Sequence, residues 1–299
     1  MFNSADVVEL LVDRLESVLS SAGPDYEIVL VNDGSSDSSW ERIESLVRTR
    51  PSVRGIDLTR NFGQHNALLA GIRAARFEII VTLDDDLQNP PEEMPKLLGA
   101  LDESHDVVYG TPIRPEHGLG RGIGTWLTKL ALQSAMGSDI ARKVSPYRAF
   151  RRDLRDAFSS YHGSYVSIDV LLAWGTTRFA TVPVQHVRRE TGSSNYGFRK
   201  LAVHALNMAT GFSTRPLRLA SFVGFFFALF GLGVLIEVVV RRFVQGSPVP
   251  GFTFLASIVA IFAGAQLFAL GIIGEYIARM HFRLMDKPPY VIRGHTERE

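Results

Sequence analysis

Two apolar stretches near the carboxyl end constrain this chain more than any other feature. Residues 219–240 contain one ionisable side chain, Glu237, and residues 252–274 contain none. As helices they would be about 33–35 Å long, against a hydrocarbon core of roughly 30 Å. Neither has a polar face to show to water, which argues against two buried helices of a soluble core. The link between them is short and carries Pro248, Pro250 and Gly251. A helical hairpin is expected over residues 218–278, with both outer ends on one side of a membrane. Arg215 and Arg218 precede the first apolar stretch, and Arg279, Arg283, Lys287 and Arg293 follow the second. The positive-inside rule puts those flanks in the cytoplasm, although Arg241 and Arg242 in the link pull the other way. The N-terminus is acidic and lacks the apolar core of a secretory signal. Residues 1–197 and the tail 279–299 are therefore expected in the cytoplasm. Residues 198–217 place Leu201, Ala205, Met208 and Phe212 at helical spacing; they either lie along the membrane surface or pack on the soluble part.

Charge follows the same division. The whole chain has 32 basic and 31 acidic residues, which argues against a generic nucleic-acid binder. Residues 1–195 hold 21 basic against 26 acidic side chains, and residues 196–299 hold 11 against 5. The chain has no cysteine, so disulfides, thiolate metal sites and a cysteine nucleophile are excluded.

The soluble part alternates short apolar runs with helical patterns. Strands are expected at Glu27–Val31, Val53–Leu58, Glu78–Leu83 and Asp106–Tyr109. Helices are expected at Val7–Leu19, Ser39–Arg48, Asn66–Ala75 and Pro91–Leu101, with Asn3 or Ser4 capping the first and Ser35 or Ser36 the second. This order implies an α/β domain with a parallel, Rossmann-like sheet covered on both faces. Ligands of such sheets bind beyond the carboxyl ends of the strands, and both acidic clusters fall there.

The first cluster is Asp84-Asp85-Asp86, followed by Leu87-Gln88-Asn89-Pro90-Pro91. Alternate residues of an extended or turning chain point the same way, so Asp84, Asp86 and Gln88 can converge. Crowded carboxylates raise one another's pKa unless a cation sits among them, and hard oxygen ligands suit Mg²⁺ or Mn²⁺. A calcium loop would need Gly at its sixth position and Glu at its twelfth; Asn89 and Pro95 stand there. The remaining alternative is an acidic turn capping the next helix. The second cluster, Asn32-Asp33-Gly34-Ser35, is half turn and half site; its place after a strand favours a nucleoside contact from Asp33. Arg60, Arg148, Arg188 and Arg189 offer guanidinium forks for phosphate oxygens, though each alone fits an exposed surface charge equally well.

Taken together, the runs V-N-D-G-S, L-T-R-N-F-G-Q-H-N-A-L-L-A-G, T-L-D-D-D-L-Q-N-P-P-E-E, Y-R-A-F-R-R, R-E-T-G-S-S-N-Y, F-S-T-R-P-L-R and G-E-Y-I-A-R resemble a family 2 glycosyltransferase of the polyprenyl-phosphate type, near the bacterial undecaprenyl-phosphate sugar transferases. The resemblance covers almost the whole chain. It implies a GT-A fold followed by the hairpin, in the plasma membrane of a bacterium. The implied reaction is a metal-dependent, inverting transfer from a nucleotide sugar, UDP-linked rather than GDP-linked, to a polyprenyl phosphate for the cell envelope. The alternatives are a GDP-mannose-dependent enzyme and a catalytically weak, membrane-anchored nucleotide-binding scaffold. Carried over by position, Asn32, Asp33, Arg60, Asp84 and Asp85 would meet the donor. Asp84, Asp86 and Gln88 would hold Mg²⁺ or Mn²⁺. Arg148, Arg189, Ser194 and Asn195 would meet phosphates of donor or acceptor, with Asp84, Asp86 and Arg148 as the catalytic group. Association of copies is expected to use Gly224, Gly231 and Gly233 in the spans.

Three departures accompany the resemblance. Relatives begin with a strand and a base-holding loop, of which only Phe2-Asn3 remains. Dolichol-phosphate mannose synthases have Lys where Asn195 stands. Some relatives carry an Asp, proposed as a base, where this chain has Pro146.

Overall fold

The computed structural model describes residues 1–23, 25–113, 143–156, 159, 161–163, 166–187, 215–245 and 252–297. In chain order these form α1 (Val8–Ala22), β1 (Ile28–Asn32), α2 (Ser39–Thr49), β2 (Val53–Leu58), α3 (Gln64–Ala74), β3 (Ile79–Thr82), a 3₁₀ turn (Pro91–Glu93), α4 (Met94–Ala100), β4 (Val107–Pro112), β5 (Arg148–Arg151), α5 (Asp153–Asp156), α6 (Ile168–Gly175), β6 (Phe179–Val184), α7 (Arg215–Gln245), α8 (Phe252–Leu284) and β7 (Ile292–Thr296).

The expected α/β layering is present, and each expected strand and helix appears within a few residues of its place. The sheet differs from the parallel one expected. Two sheets form instead, a three-stranded one in the order β1-β2-β7 and a four-stranded one in the order β3-β5-β4-β6. β1 and β2 are parallel, as are β4 and β6, but β5 is antiparallel to β3 and β4, and β7 to β2. The two reversed strands, Arg-Ala-Phe-Arg and Ile-Arg-Gly-His-Thr, carry no long apolar run, so periodicity does not announce them. Helices cover both faces. Leu11, Leu15, Leu46 and Leu97 belong to one buried cluster, and Leu69, Ile72, Phe150 and Leu171 to another.

The caps differ too. Ser4 receives the first turn of α1 on its carbonyl, while its hydroxyl goes elsewhere. At α2 the acceptor is Asp37, which takes the amide and hydroxyl of Ser39.

Between β1 and β3 lies a cavity of about 1110 Å³. Leu11, Leu15 and Leu98 line it from one layer of helices, and Ala67, Leu68 and Gly71 from the other. Asp33 and Asp84 stand at one end. Met1 enters there: its ammonium donates to the Val31 carbonyl at 2.8 Å, and its own carbonyl accepts the Asp33 amide at 2.8 Å. Flanking a partner residue in this way is the rung pattern of a parallel ladder.

The two long helices have the character expected of a hairpin. The segments Leu217–Glu237 and Ile261–Phe282 are apolar enough to cross a bilayer, with only 6% and 0% of their most apolar windows buried. Phe222 is 70% exposed and Leu267 69%, a surface suited to lipid rather than water. The helices meet through Phe227 and Phe262, whose ring centres are 5.9 Å apart, and Gly231 admits the edge of Phe262. Among the described residues, Gly224 and Gly233 have no neighbour where a Cβ would project. After α8 the chain returns to the α/β domain, where β7 pairs with β2. The two outer ends of the hairpin therefore lie on one side. Residues 198–214, expected to be amphipathic, lie outside the described residues.

Candidate active site

The carboxyl ends of β1, β2 and β3 lie along one edge, and the sequence after each carries polar residues to that edge. β1 ends in Asn32 and Asp33, both almost fully buried. Asp33 Oδ1 accepts the Phe62 amide at 2.7 Å, and Oδ2 accepts the Gly63 amide at 2.9 Å. Burial pushes its pKa up, and these two amides and Arg60 draw it partly back. Asp33 thus clamps the loop after β2 to the end of β1. Gly34 makes the approach possible: it has φ +65°, and a Cβ there would lie 2.3 Å from the Arg60 carbonyl carbon. Arg60 lays its guanidinium over the Phe62 ring, 4.2 Å from the centroid, at the exposed rim.

β3 delivers the acidic turn. Asp84, Asp85 and Asp86 are each partly buried, and Leu87 adopts φ +56°, a conformation costly for a branched side chain. Asp86 Oδ1 accepts the Gln88 amide at 3.2 Å, and the Gln88 carbonyl accepts the Val187 amide at 2.9 Å. Burial, then Asp86, pushes the Asp84 carboxyl up to about 6, against the pull of Arg148. Two neighbours missed in the sequence complete the turn. Gln64 donates to Asp84 Oδ1 at 2.5 Å, and Ser4 donates its hydroxyl to Asp85 Oδ2 at 2.5 Å. Gln64 stands inside the R-N-F-G-Q-H run, but nothing in that run says which carboxylate it serves.

Arg148 departs from the sequence expectation. It is 1% exposed. Its guanidinium pairs with Asp169 and donates Nε–H to Thr82 Oγ1 at 3.0 Å. Asp169 also accepts the Tyr109 hydroxyl at 3.0 Å, and burial beside that carboxylate drives the tyrosine pKa well above its usual range. The Arg148 guanidinium is committed to two buried partners beneath the acidic turn. The one sequence sign of this was a lone Asp169 inside an apolar helical run. Arg189, Ser194 and Asn195 lie outside the described residues; the chain leading to them is fastened to the acidic turn at Val187.

The side chains fit a divalent cation of the Mg²⁺ type. The sign is the raised pKa of Asp84, held up in part by the charge of Asp86, since a cation between them would relieve that repulsion. No group of three His, Cys, Asp or Glu among the described residues is arranged to hold a metal. Two carboxylates suffice for a cation whose other ligands are water and substrate phosphates.

Comparison with known proteins identifies the family. Residues 1–158 match the family described as Glycosyl transferase family 2. The chain is 34% identical over 297 residues to the undecaprenyl-phosphate 4-deoxy-4-formamido-L-arabinose transferase of Yersinia enterocolitica, covering 98% of this chain and 90% of that one. It is 33% identical over 296 residues to the protein of the same description in Klebsiella pneumoniae subsp. pneumoniae, with the same shares covered. Among solved structures, a mannosyltransferase from Pyrobaculum calidifontis in complex with GDP-Man and Mn²⁺ is 17% identical over 96% of this chain and 86% of that one, at a TM-score of 0.49. With a family match over more than half its length and relatives aligned almost end to end, the chain belongs to glycosyl transferase family 2, among the polyprenyl-phosphate sugar transferases with a GT-A-like domain.

Proposed function

We propose that this protein transfers a sugar, with inversion, from a UDP-sugar to a polyprenyl phosphate at the cytoplasmic face of a bacterial plasma membrane. The observation that carries this is the joining of two features in one chain: paired carboxylates just past β3, and a lipid-suited hairpin whose far end is stitched by β7 onto β2, in the neighbouring sheet whose β1 ends in Asn32 and Asp33. A water-soluble donor and a membrane-bound acceptor need such an arrangement.

In the proposed reaction an acceptor phosphate oxygen attacks the anomeric carbon from the face opposite the nucleotide. The carbon–oxygen bond to the diphosphate breaks, and UDP leaves. A phosphate monoester has a second pKa near 6, so it is mostly ionised at neutral pH and requires orientation more than deprotonation. Pro146 in place of a candidate base therefore costs the reaction little. The demanding part is the charge that gathers on the departing diphosphate. A Mg²⁺ or Mn²⁺ held by Asp84 and Asp86, with Gln88 nearby, would neutralise that charge. Gln64 orients the Asp84 carboxylate, and Asn32, Asp33 and Arg60 form the rim expected to take the nucleotide.

The test is transfer by the purified full-length protein. Undecaprenyl phosphate, Mg²⁺ and labelled nucleotide sugars are supplied, with the UDP-linked 4-formamido-arabinose suggested by the relatives placed first. A labelled lipid monosaccharide formed from a UDP-sugar is the expected result. Product from GDP-mannose alone would replace the donor assignment. Nucleotide binding with no product from any donor would replace an enzyme with a scaffold.

A further inference from the structure

The strand that follows the membrane hairpin reaches the nucleotide end of the sheet through one side chain. β7 pairs with β2 in register Gly55–Thr296, Ile56–His295 and Asp57–Gly294, and then the register shifts so that Ile292 faces Leu58. The shift leaves Arg293 as the extra residue of a β-bulge. Bulges re-aim a side chain and often lie beside functional sites. Here the bulge turns the Arg293 guanidinium back across β2. Nη1 lies 3.3 Å from Asp57 Oδ2, and Nη2 donates to the Thr59 carbonyl at 2.9 Å.

Asp57 is a carboxylate with an unusual address. It is 3% exposed, near the carboxyl end of β2 between the buried Ile56 and Leu58, and opposite Asn32 in the β1–β2 register. Its Oδ1 accepts the Asn32 side-chain amide at 2.7 Å. Asn32 is 2% exposed; its own Oδ1 accepts the Ser35 amide at 3.3 Å, and its neighbour Asp33 holds Phe62 and Gly63. A buried carboxylate needs its partners, because losing one leaves charge without compensation. Asp57 has a neutral amide on one side and Arg293 on the other.

We infer that Arg293 is a positioning residue for the donor site. Acting through Asp57, it fixes Asn32 and the loop that Asp33 clamps, and so links the membrane-following strand to the nucleotide-binding edge. The inference rests on the proposed donor site. Arg293 itself touches no reacting atom, and because it is largely exposed its ion pair is screened. Its effect is therefore on geometry and of moderate size.

The experiment uses full-length protein in nanodiscs and compares wild type with Arg293→Ala, Arg293→Lys, Asp57→Asn and the Arg293→Ala/Asp57→Asn pair. For Arg293→Ala, the KM for the nucleotide sugar is expected to rise about tenfold, the size of one lost bond to a charged group, with kcat and the acceptor KM nearly unchanged. UDP affinity by calorimetry should fall in parallel. Arg293→Lys should recover part of the loss, and the double variant should be no worse than the single, since both act on one pair. An Arg293→Ala enzyme with an unchanged donor KM, or one whose kcat falls and whose acceptor KM rises by as much as its donor KM, overturns the inference. Should Arg293→Ala not fold, the donor KM of Arg293→Lys and Asp57→Asn decides by the same criteria. A wild-type protein that transfers no sugar defeats the proposed function instead, and UDP affinity across the same variants still reads the linkage.

Discussion

Gln64 donates its side-chain amide to Asp84, joining the first residue of α3 to the acidic turn after β3. The bond holds one oxygen of a carboxylate that burial and Asp86 have pushed up to about 6. Because the folded-state pKa lies above the ordinary carboxylate value, the folded protein holds this proton more tightly than the unfolded chain. Asp84 therefore favours folding below about pH 4, and that contribution is lost as pH rises through about 6. Asp84→Asn removes the charge and keeps an acceptor for Gln64. The variant should be more stable than wild type at pH 7 by roughly 1–2 kcal/mol, a few degrees in a thermal melt, and nearly inactive. A melt unchanged at pH 7 would show that Asp84 carries no burden in the fold.

The same carboxylate sets a pH profile for turnover. Cation binding requires the ionised form, so with Mg²⁺ below saturation the rate should fall as pH drops through about 6. Raising Mg²⁺ about tenfold should move the midpoint to lower pH, because metal and proton compete. A midpoint indifferent to Mg²⁺ would detach the cation from Asp84.

Asp86→Ala tests the other half of the pair. Asp86 is partly exposed and packs little, so the fold should persist in circular dichroism and melting. Turnover should fall far more than tenfold. Retention of more than about a tenth of the activity means that less than about 1.4 kcal/mol of transition-state stabilisation was lost, too little for a residue neutralising a diphosphate.

Legibility in the sequence followed a physical divide. β1 and β3 were visible because both are short runs of branched apolar residues that end in acidic turns. The hairpin was visible because lipid tolerates what water does not. β5 and β7 were not, since Arg148 and Arg151 flank two residues and Arg293 and His295 punctuate the other; such strands exist because neighbours supply their hydrogen bonds, a tertiary effect. Arg148 was read as a phosphate ligand because charge alone says nothing about burial. Its partner Asp169 lies twenty-one residues away in sequence, and only the fold brings them together. Asp57 drew no notice for the same reason.

Arg148 and Asp169 give a prediction that separates the two roles. Removing one partner of a buried pair leaves the other charge uncompensated, so Arg148→Ala should destabilise by about 3–5 kcal/mol in urea unfolding. Arg148→Met combined with Asp169→Leu should regain much of that stability. If Arg148→Ala instead melts like wild type while kcat collapses, the guanidinium leaves Asp169 in the working enzyme and meets phosphate.

The cavity between β1 and β3 supplies the last test. Each of these strands has one edge without a strand partner among the described residues, and apolar side chains wall the space from both layers. Met1 already makes the two bonds of a parallel rung beside Asn32, with its chain direction set along β1. A six-residue extension ahead of Met1, alternating Val and Thr, should therefore run between the two edges, satisfy their free amides and carbonyls and bury its valines. Backbone bonds contribute about 0.5–1.5 kcal/mol each, and each buried valine roughly 1.5 kcal/mol or more. After the entropy of ordering the segment is subtracted, a net gain of a few kcal/mol remains. The melting temperature should rise by several degrees over a Gly-Ser extension of equal length, and the amides of Val29 and Val31 should exchange with solvent more slowly. Equal melting temperatures for the two extensions would show that the cavity does not take a strand.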